Sequence, residues 1–198
     1  WQMLPDGKKG KADDGRSKGP GWRIDYSKPI THGPTHIGFD YFFGIAGSLD
    51  MPPYVYIKND KSTAIPTKIK AFHRKGPAAA DFEAVKCLRD FAAQSRDYIK
   101  RRAADKSKPF FLYLPLTSPH TPIVPSKKWQ GKSGISKYGD FVMETDWVVG
   151  QVLAELDAQG IADNTLVLFT TDNGCSPAAK IDDLIAKGHK PNADWRGH

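Results

Sequence analysis

Two apolar segments, each running into a short polar end, constrain this chain more than any other feature. Residues 110–116 read Phe-Phe-Leu-Tyr-Leu-Pro-Leu and pass into Thr117-Ser118-Pro119-His120-Thr121-Pro122. Residues 165–171 read Thr-Leu-Val-Leu-Phe-Thr-Thr and pass into Asp172-Asn173-Gly174. A strand apolar on both faces needs cover on both faces, which a mostly parallel sheet flanked by helices provides. Ligands of such sheets bind just past the carboxyl ends of the strands. That rim would carry an imidazole from one strand and an adjacent acid–amide pair from the other.

The flanking sequence supports the same α/β class. Ala84, Leu88, Phe91, Ser95 and Tyr98 recur at three-and-four spacing, with Val85, Ala92 and Ile99 widening the stripe. They predict an amphipathic helix in a periodic region that opens near residue 78. Arg96, Lys100, Arg101 and Arg102 suit the negative pole of that helix. A second helix is expected over 138–158, with Val142, Asp146, Val149, Leu153 and Leu156 as its ladder and Gly160 as its stop. Asp146, set in that ladder, reads first as a buried structural acid and second as a side chain reaching the site. Strand, helix, strand is a βαβ unit with a right-handed crossover.

The chain therefore reads as one domain in three parts: a loop-rich region over 1–77, a helix–strand–helix–strand core over 78–174, and a loop-rich tail over 175–198. Within the first part only residues 37–44 and 54–57 are apolar enough for short strands. So long an irregular stretch points to functional loops or to a piece of a larger domain.

Charge narrows the partners. Lys and Arg number 29 against 22 Asp and Glu, for a net charge of +7. Many of the basic residues lie in a glycine-rich opening with Lys8, Lys9, Lys11, Arg16 and Lys18. That balance favours anionic ligands, although a solvated basic loop accounts for the opening stretch. Aromatics are not interleaved with those charges, so nucleic acid is not expected. No apolar run approaches a membrane span. Cys87 and Cys175 are too few for a disulfide scaffold and lack the spacing of a metal cluster.

Asp172 and Asn173 offer hard oxygen donors suited to Ca²⁺ or Mg²⁺, and Gly174 lets the backbone turn after them. Asp-Asn-Gly is also an ordinary turn sequence; its place at the end of a buried strand favours the metal reading. His120 lies among prolines that restrict its backbone; it could donate to an oxyanion or protonate a departing oxygen, or equally serve as a capping or packing histidine. His32 and His36 form an HxxxH pair, but Gly33-Pro34 between them precludes the helix such a zinc site needs.

Taken together, residues 109–125, the run from Tyr138 through Asp146, residues 149–153 and residues 160–174 resemble a type I sulfatase, of the arylsulfatase branch of the alkaline-phosphatase-like superfamily. Residues 38–45 add a further matching block. The resemblance implies an alkaline-phosphatase-like sheet, with Asp172 and Asn173 as ligands of a divalent cation, usually Ca²⁺. It implies that His120 is catalytic and contacts the sulfate near the leaving oxygen, and that Ser48 lies by the sulfate. It also implies a sulfated small molecule or glycan as substrate, and a periplasmic, lysosomal or extracellular setting. Members use a formylglycine made within a C/S-x-P-S/A-R motif, an early Asp-Asp pair, a Lys-x-x-His stretch and a lysine after Asp-Asn-Gly. The resemblance places the first three before Trp1 and the last just beyond His198. Cys175-Ser176-Pro177-Ala178 begins like the modification motif, but Ala179 stands where arginine is required. The expectation is an internal piece of a sulfatase catalytic domain without its nucleophile, inactive when isolated. The alternatives are a phosphodiesterase or phosphonate hydrolase of the same superfamily, or a non-catalytic anion-binding module.

Overall fold

A computed structural model of the chain describes residues 20–195. The basic opening stretch from Lys8 to Lys18, and His198, lie outside the described residues. The chain divides into two compact units, one ending at Ala84 and the other starting at Val85.

In the first unit the region that reads as loops carries very short strands. β1 (Phe43–Gly44), β2 (Ile57–Lys58) and β3 (Lys61–Ser62) form an antiparallel sheet in that order. β4 (Lys68–Ala71) and β5 (Lys75–Ala78) form an antiparallel hairpin. Strands of this length are too short for a period-two pattern to register in the sequence. Aromatic packing holds the unit together. Tyr54 is buried, with its ring edge-on to Phe72 at 4.9 Å and stacked on Phe82 at 6.1 Å. Tyr56 meets Phe82 at 5.0 Å and Phe43 at 4.9 Å. The Tyr54 backbone also ties in the hairpin's exit: its N–H donates to the Pro77 carbonyl at 2.8 Å, and its carbonyl accepts from Ala79 at 2.9 Å. Gly76 permits this closeness, because a Cβ there would fall 2.2 Å from Cβ of Pro52.

The second unit is built on two helices, α1 (Cys87–Ala103) and α2 (Lys137–Ala158). α1 buries Leu88, Phe91, Ala92, Ser95 and Ile99, much as the spacing predicts. It starts later than the periodic region, because residues 75–78 are spent on β5 and Ala79 bonds to Tyr54. Val85 is accordingly outside the helix and exposed. α2 has the expected length. The Ser136 hydroxyl accepts from the Gly139 N–H at its start, and Gly160, at φ +63°, follows its end.

The buried face of α2 differs from the expected ladder. Tyr138, Phe141, Glu144, Val148, Glu155 and Leu156 face inward, whereas Val142, Asp146 and Leu153 are exposed. Asp146 is therefore not a buried structural acid. The true stripe lies about one position round the helix and was hidden because it carries acids. Asp140, Glu144 and Glu155 are all nearly inaccessible, which an apolar count cannot anticipate. Glu155 accepts from Arg96 Nε of α1 at 3.0 Å and Gln159 Nε2 at 2.8 Å, with Lys100 Nζ at 3.8 Å. Burial alone would raise its pKa, but these donors outweigh it and hold the carboxyl below its ordinary value. Arg96 and Lys100 thus clamp the two helices together besides facing the α1 dipole. Leu88, Ala92, Phe141 and Val148 form the apolar cluster between them.

The expected parallel strands are not hydrogen-bonded strands within the described residues, where both sheets are antiparallel. Residues 110–116 form no assigned helix or strand, and their exposure alternates residue by residue, with one side on the helices. Phe110 meets Tyr98 edge-on at 5.9 Å, and Leu114 and Leu116 pack on the apolar cluster, while Phe111 and Tyr113 are exposed. Residues 166–169 are exposed throughout, Leu166 at 84% and Leu168 at 82%. Backbone N–H and C=O groups need partners, and no backbone bond from another described residue reaches residues 166–170. The tail, read as loops, holds a short helix, α3 (Ile181–Ala186). Tyr138, Cys175, Ala179 and Leu184 form a second small cluster that fastens this tail to the start of α2. Among the described residues no helix is long and apolar enough to cross a membrane.

Candidate functional site

Residues 117–125 connect the first apolar segment to the loop before α2, and α2 anchors them. Thr145 donates its hydroxyl proton to the Phe141 carbonyl at 2.8 Å. The 2.6 Å contact between Ser118 Oγ and Thr145 Oγ1 is therefore donated by Ser118. His120 follows, exposed, with cis peptide bonds preceding Pro119 and Pro122. Its Nδ1 lies 2.6 Å from the Thr121 carbonyl oxygen. A carbonyl only accepts, so Nδ1 carries the proton and Nε2 is left to face a ligand. Thr117 Oγ1 is buried and has no partner among the described residues.

Asp172 and Asn173 are exposed and bonded only locally. The Asn173 N–H donates to Asp172 Oδ1 at 3.0 Å, its Nδ2 donates to the Gly174 carbonyl at 2.9 Å, and the Thr171 hydroxyl donates to the Asn173 carbonyl at 2.7 Å. This is a compact turn in which, among the described residues, no hydrogen bond takes up Asp172 Oδ2 or Asn173 Oδ1. Cys175 follows and is fixed, its N–H donating to Asn192 Oδ1 at 2.7 Å. Two hard oxygens suit Ca²⁺ or Mg²⁺ in kind, but Ca²⁺ takes roughly six to eight. Among the described residues no group of three or more His, Cys, Asp or Glu is placed to hold a metal.

No hydrogen bond or ion pair among the described residues joins His120 to Asp172 or Asn173. Ser48 belongs to the first unit, where it is half-buried and its carbonyl accepts from the Met51 N–H at 3.1 Å. His32 and His36 are exposed beside a single 3-10 turn (Pro34–His36), each ring within 3.5 Å of the preceding threonine hydroxyl. The Cys175 thiol is buried against Tyr138, whose pKa is pushed up by burial and by that thiol. This packing suits a core thiol better than a modified nucleophile.

Sequence reasoning missed the loop over 126–136. Asp140 accepts from the N–H groups of Gly131 and Ser133, both at 2.8 Å, and Glu144 accepts from the Ser126 N–H at 2.8 Å. Burial works against the Asp140 charge, but the Ser133 and Gly131 donors outweigh it and hold the carboxyl below its ordinary value. The only signal was a pair of acids four apart on the first turns of α2. Their partners are backbone groups, which leave no trace in residue type.

Comparison with known proteins gives a consistent answer. The family model described as sulfatase matches residues 21–198. An N-acetylgalactosamine-6-O-sulfatase of Bacteroides thetaiotaomicron is 27% identical over 90% of this chain and 43% of its own length. The N-acetylgalactosamine-6-sulfatase of Homo sapiens is 31% identical over 78% of this chain and 29% of its own length. Arylsulfatase H of Homo sapiens reaches 46% identity over 46% of this chain and 18% of its own length. A solved structure concerned with glycosaminoglycan metabolism by Bacteroides thetaiotaomicron superposes with a TM-score of 0.74 at 23% identity, over 87% of this chain and 44% of that one. The chain thus spans less than half the length of these relatives.

Proposed function

The chain belongs to the sulfatase family, and on that premise we propose that it supplies the leaving-group side and part of the cation site of a sulfuric ester hydrolase. His120 is the catalytic acid. With Nδ1 held by the Thr121 carbonyl, an imidazolium would donate from Nε2 to the departing oxygen. Asp172 Oδ2 and Asn173 Oδ1 are the ligands this chain offers to a divalent cation, Ca²⁺ by preference and Mg²⁺ as the smaller fit. A bound cation supplies positive charge against the sulfate oxygens. The nucleophile, a formylglycine, and the remaining cation ligands come from sequence outside these 198 residues. Residues 110–116 and 165–171 become strands of a parallel sheet when the rest of the domain covers them. The exposed apolar side chains of residues 166–169 support that reading.

The substrate is a sulfated sugar. The names of two relatives, both N-acetylgalactosamine sulfatases, favour a glycan, and so does the chain's net charge of +7. The setting proposed is periplasmic, lysosomal or extracellular. The observation that carries this reading is the family match across residues 21–198, the span within which His120, Asp172 and Asn173 fall.

Two measurements test it. In the whole protein, His120→Ala should lower kcat on a sugar sulfate by roughly 10²-fold or more. The same variant should lose less on an aryl sulfate, whose phenolate departs with little need of a proton. An equal loss on both would remove His120 from the acid role, and faster cleavage of phosphate diesters than of sulfate esters would favour the sister activity. Calorimetric titration with Ca²⁺ should show saturable binding that Asp172→Ala weakens; identical isotherms would overturn the cation assignment.

A further inference from the structure

The loop over 126–136 presents a cationic and aromatic corner that the proposed chemistry does not use. Lys128 Nζ lies 5.2 Å from the ring centroid of Trp129 and 5.2 Å from that of Trp147. The two indoles are 6.5 Å apart and inclined at 51°. Both are half-buried and Lys128 is exposed. Trp147 is fixed by packing on the cluster of Leu88, Ala92, Phe141 and Val148.

Charge along the loop itself is one-sided, although the exposed Asp146 precedes Trp147 on α2. Lys127, Lys132 and Lys137 are also exposed, and no acidic residue lies between Ser126 and Lys137. Among the described residues none of these lysines forms an ion pair with a carboxylate. The nearest acids in sequence, Asp140 and Glu144, are buried and spend their charge on loop N–H groups. They hold the loop's shape without neutralising its outer surface.

An ammonium group held between two indole faces is ordered before any ligand arrives, so less side-chain entropy is lost on binding. Indole faces accept the C–H face of a pyranose ring, while an ammonium accepts a sulfate or carboxylate. We propose that Lys128, Trp129 and Trp147 form a subsite for one anionic sugar unit of a sulfated glycan. Lys128 pairs with the sulfate or carboxylate, and the tryptophans pack on the ring. Only the choice of a sulfated glycan rests on the function proposed above; the binding itself requires neither His120 nor a cation.

The test is calorimetric titration of the full chain with a chondroitin sulfate tetrasaccharide, its chemically desulfated counterpart and inorganic sulfate. The expected result is saturable binding of the sulfated tetrasaccharide, weakened about tenfold by Lys128→Gln, with loss of one charge-assisted contact. Trp129→Ala should weaken it comparably. Lys180→Gln, an exposed lysine elsewhere in the unit, should leave it unchanged. Helical circular dichroism identical to that of the unmodified chain shows that each variant folds. Equal binding of the sulfated and desulfated sugars would overturn the anionic contact. Inorganic sulfate binding as tightly as the tetrasaccharide would overturn the sugar contact, and indifference to Lys128→Gln would overturn the site. Unchanged Ca²⁺ titration in Lys128→Gln separates failure of this subsite from failure of the cation assignment.

Discussion

The loop over 126–136 is polar, contains Gly131 and Gly134 and has no regular structure, yet buried carboxylates meet several of its backbone donors. The segment over 166–170 is largely apolar and lies outside any helix or strand, and none of its backbone groups bonds to backbone among the described residues. The two belong to the same unit. The loop carries its partners close by, on the helix that follows it, whereas no described residue supplies backbone partners to the strand-like segment. Conformational order here follows where the hydrogen-bond partners reside rather than how apolar the segment is.

Removing a loop anchor tests the first half of that contrast and should have the largest effect. Asp140→Ala leaves the N–H groups of Gly131 and Ser133 without their carboxylate. The cost should be about 3 kcal/mol in urea denaturation followed by helical circular dichroism. The pH dependence has a defined sign, since the folded carboxyl sits below its ordinary value of 3.8. Its contribution is complete above about pH 4 and is lost as pH falls through the lowered folded value. Asp140→Asn should flatten that acid limb. A variant as stable as the unmodified chain at pH 7 would mean that water replaces the carboxylate and the loop is not held as described.

The helices and their order are legible in the sequence, because α1 and α2 carry enough turns for periodicity to emerge. The buried face of α2 is not legible: Glu144 and Glu155 sit on it and Val142 and Leu153 do not. In residues 20–84, β1 and β2 overlap the ends of the short apolar runs 37–44 and 54–57, whereas β3, β4 and β5 stay hidden because two to four residues hold too little pattern. For the candidate site, the sequence placed His120, Asp172 and Asn173 at the ends of apolar runs. It could not show that Nδ1 of His120 is committed to a carbonyl, since that depends on local geometry. Nor could it show that Lys128 reaches Trp147, nineteen positions away along the chain.

A second comparison lies between the two apolar segments, and Leu114→Ala measures the better supported one. Leu114 packs on the cluster between α1 and α2, so truncation should cost about 2 kcal/mol, at the lower end of the range for buried leucines because the site is only half-buried. A loss below about 0.5 kcal/mol, typical of surface changes, would place this segment in the same state as residues 166–170.

The smallest effect is expected where the sequence is most apolar. Leu166 and Leu168 are more than four-fifths exposed and pack on nothing that a truncation would empty. Replacing both, Leu166→Lys with Leu168→Lys, should change the unfolding free energy of this chain by no more than about 0.5 kcal/mol. The same change should raise solubility, because an unpaired apolar strand is a template for self-association and lysines block that pairing. Sedimentation velocity at increasing concentration would read the second effect while denaturation reads the first. A destabilisation above about 1 kcal/mol, beyond what surface substitutions cause, would show that residues 166–170 are already covered in solution. In the whole protein, where a parallel sheet is proposed to form around them, the same pair of lysines should abolish folding, because two charges would then be buried without partners. Indifference in the isolated chain together with failure in the whole protein would locate the missing half of the contrast outside these residues.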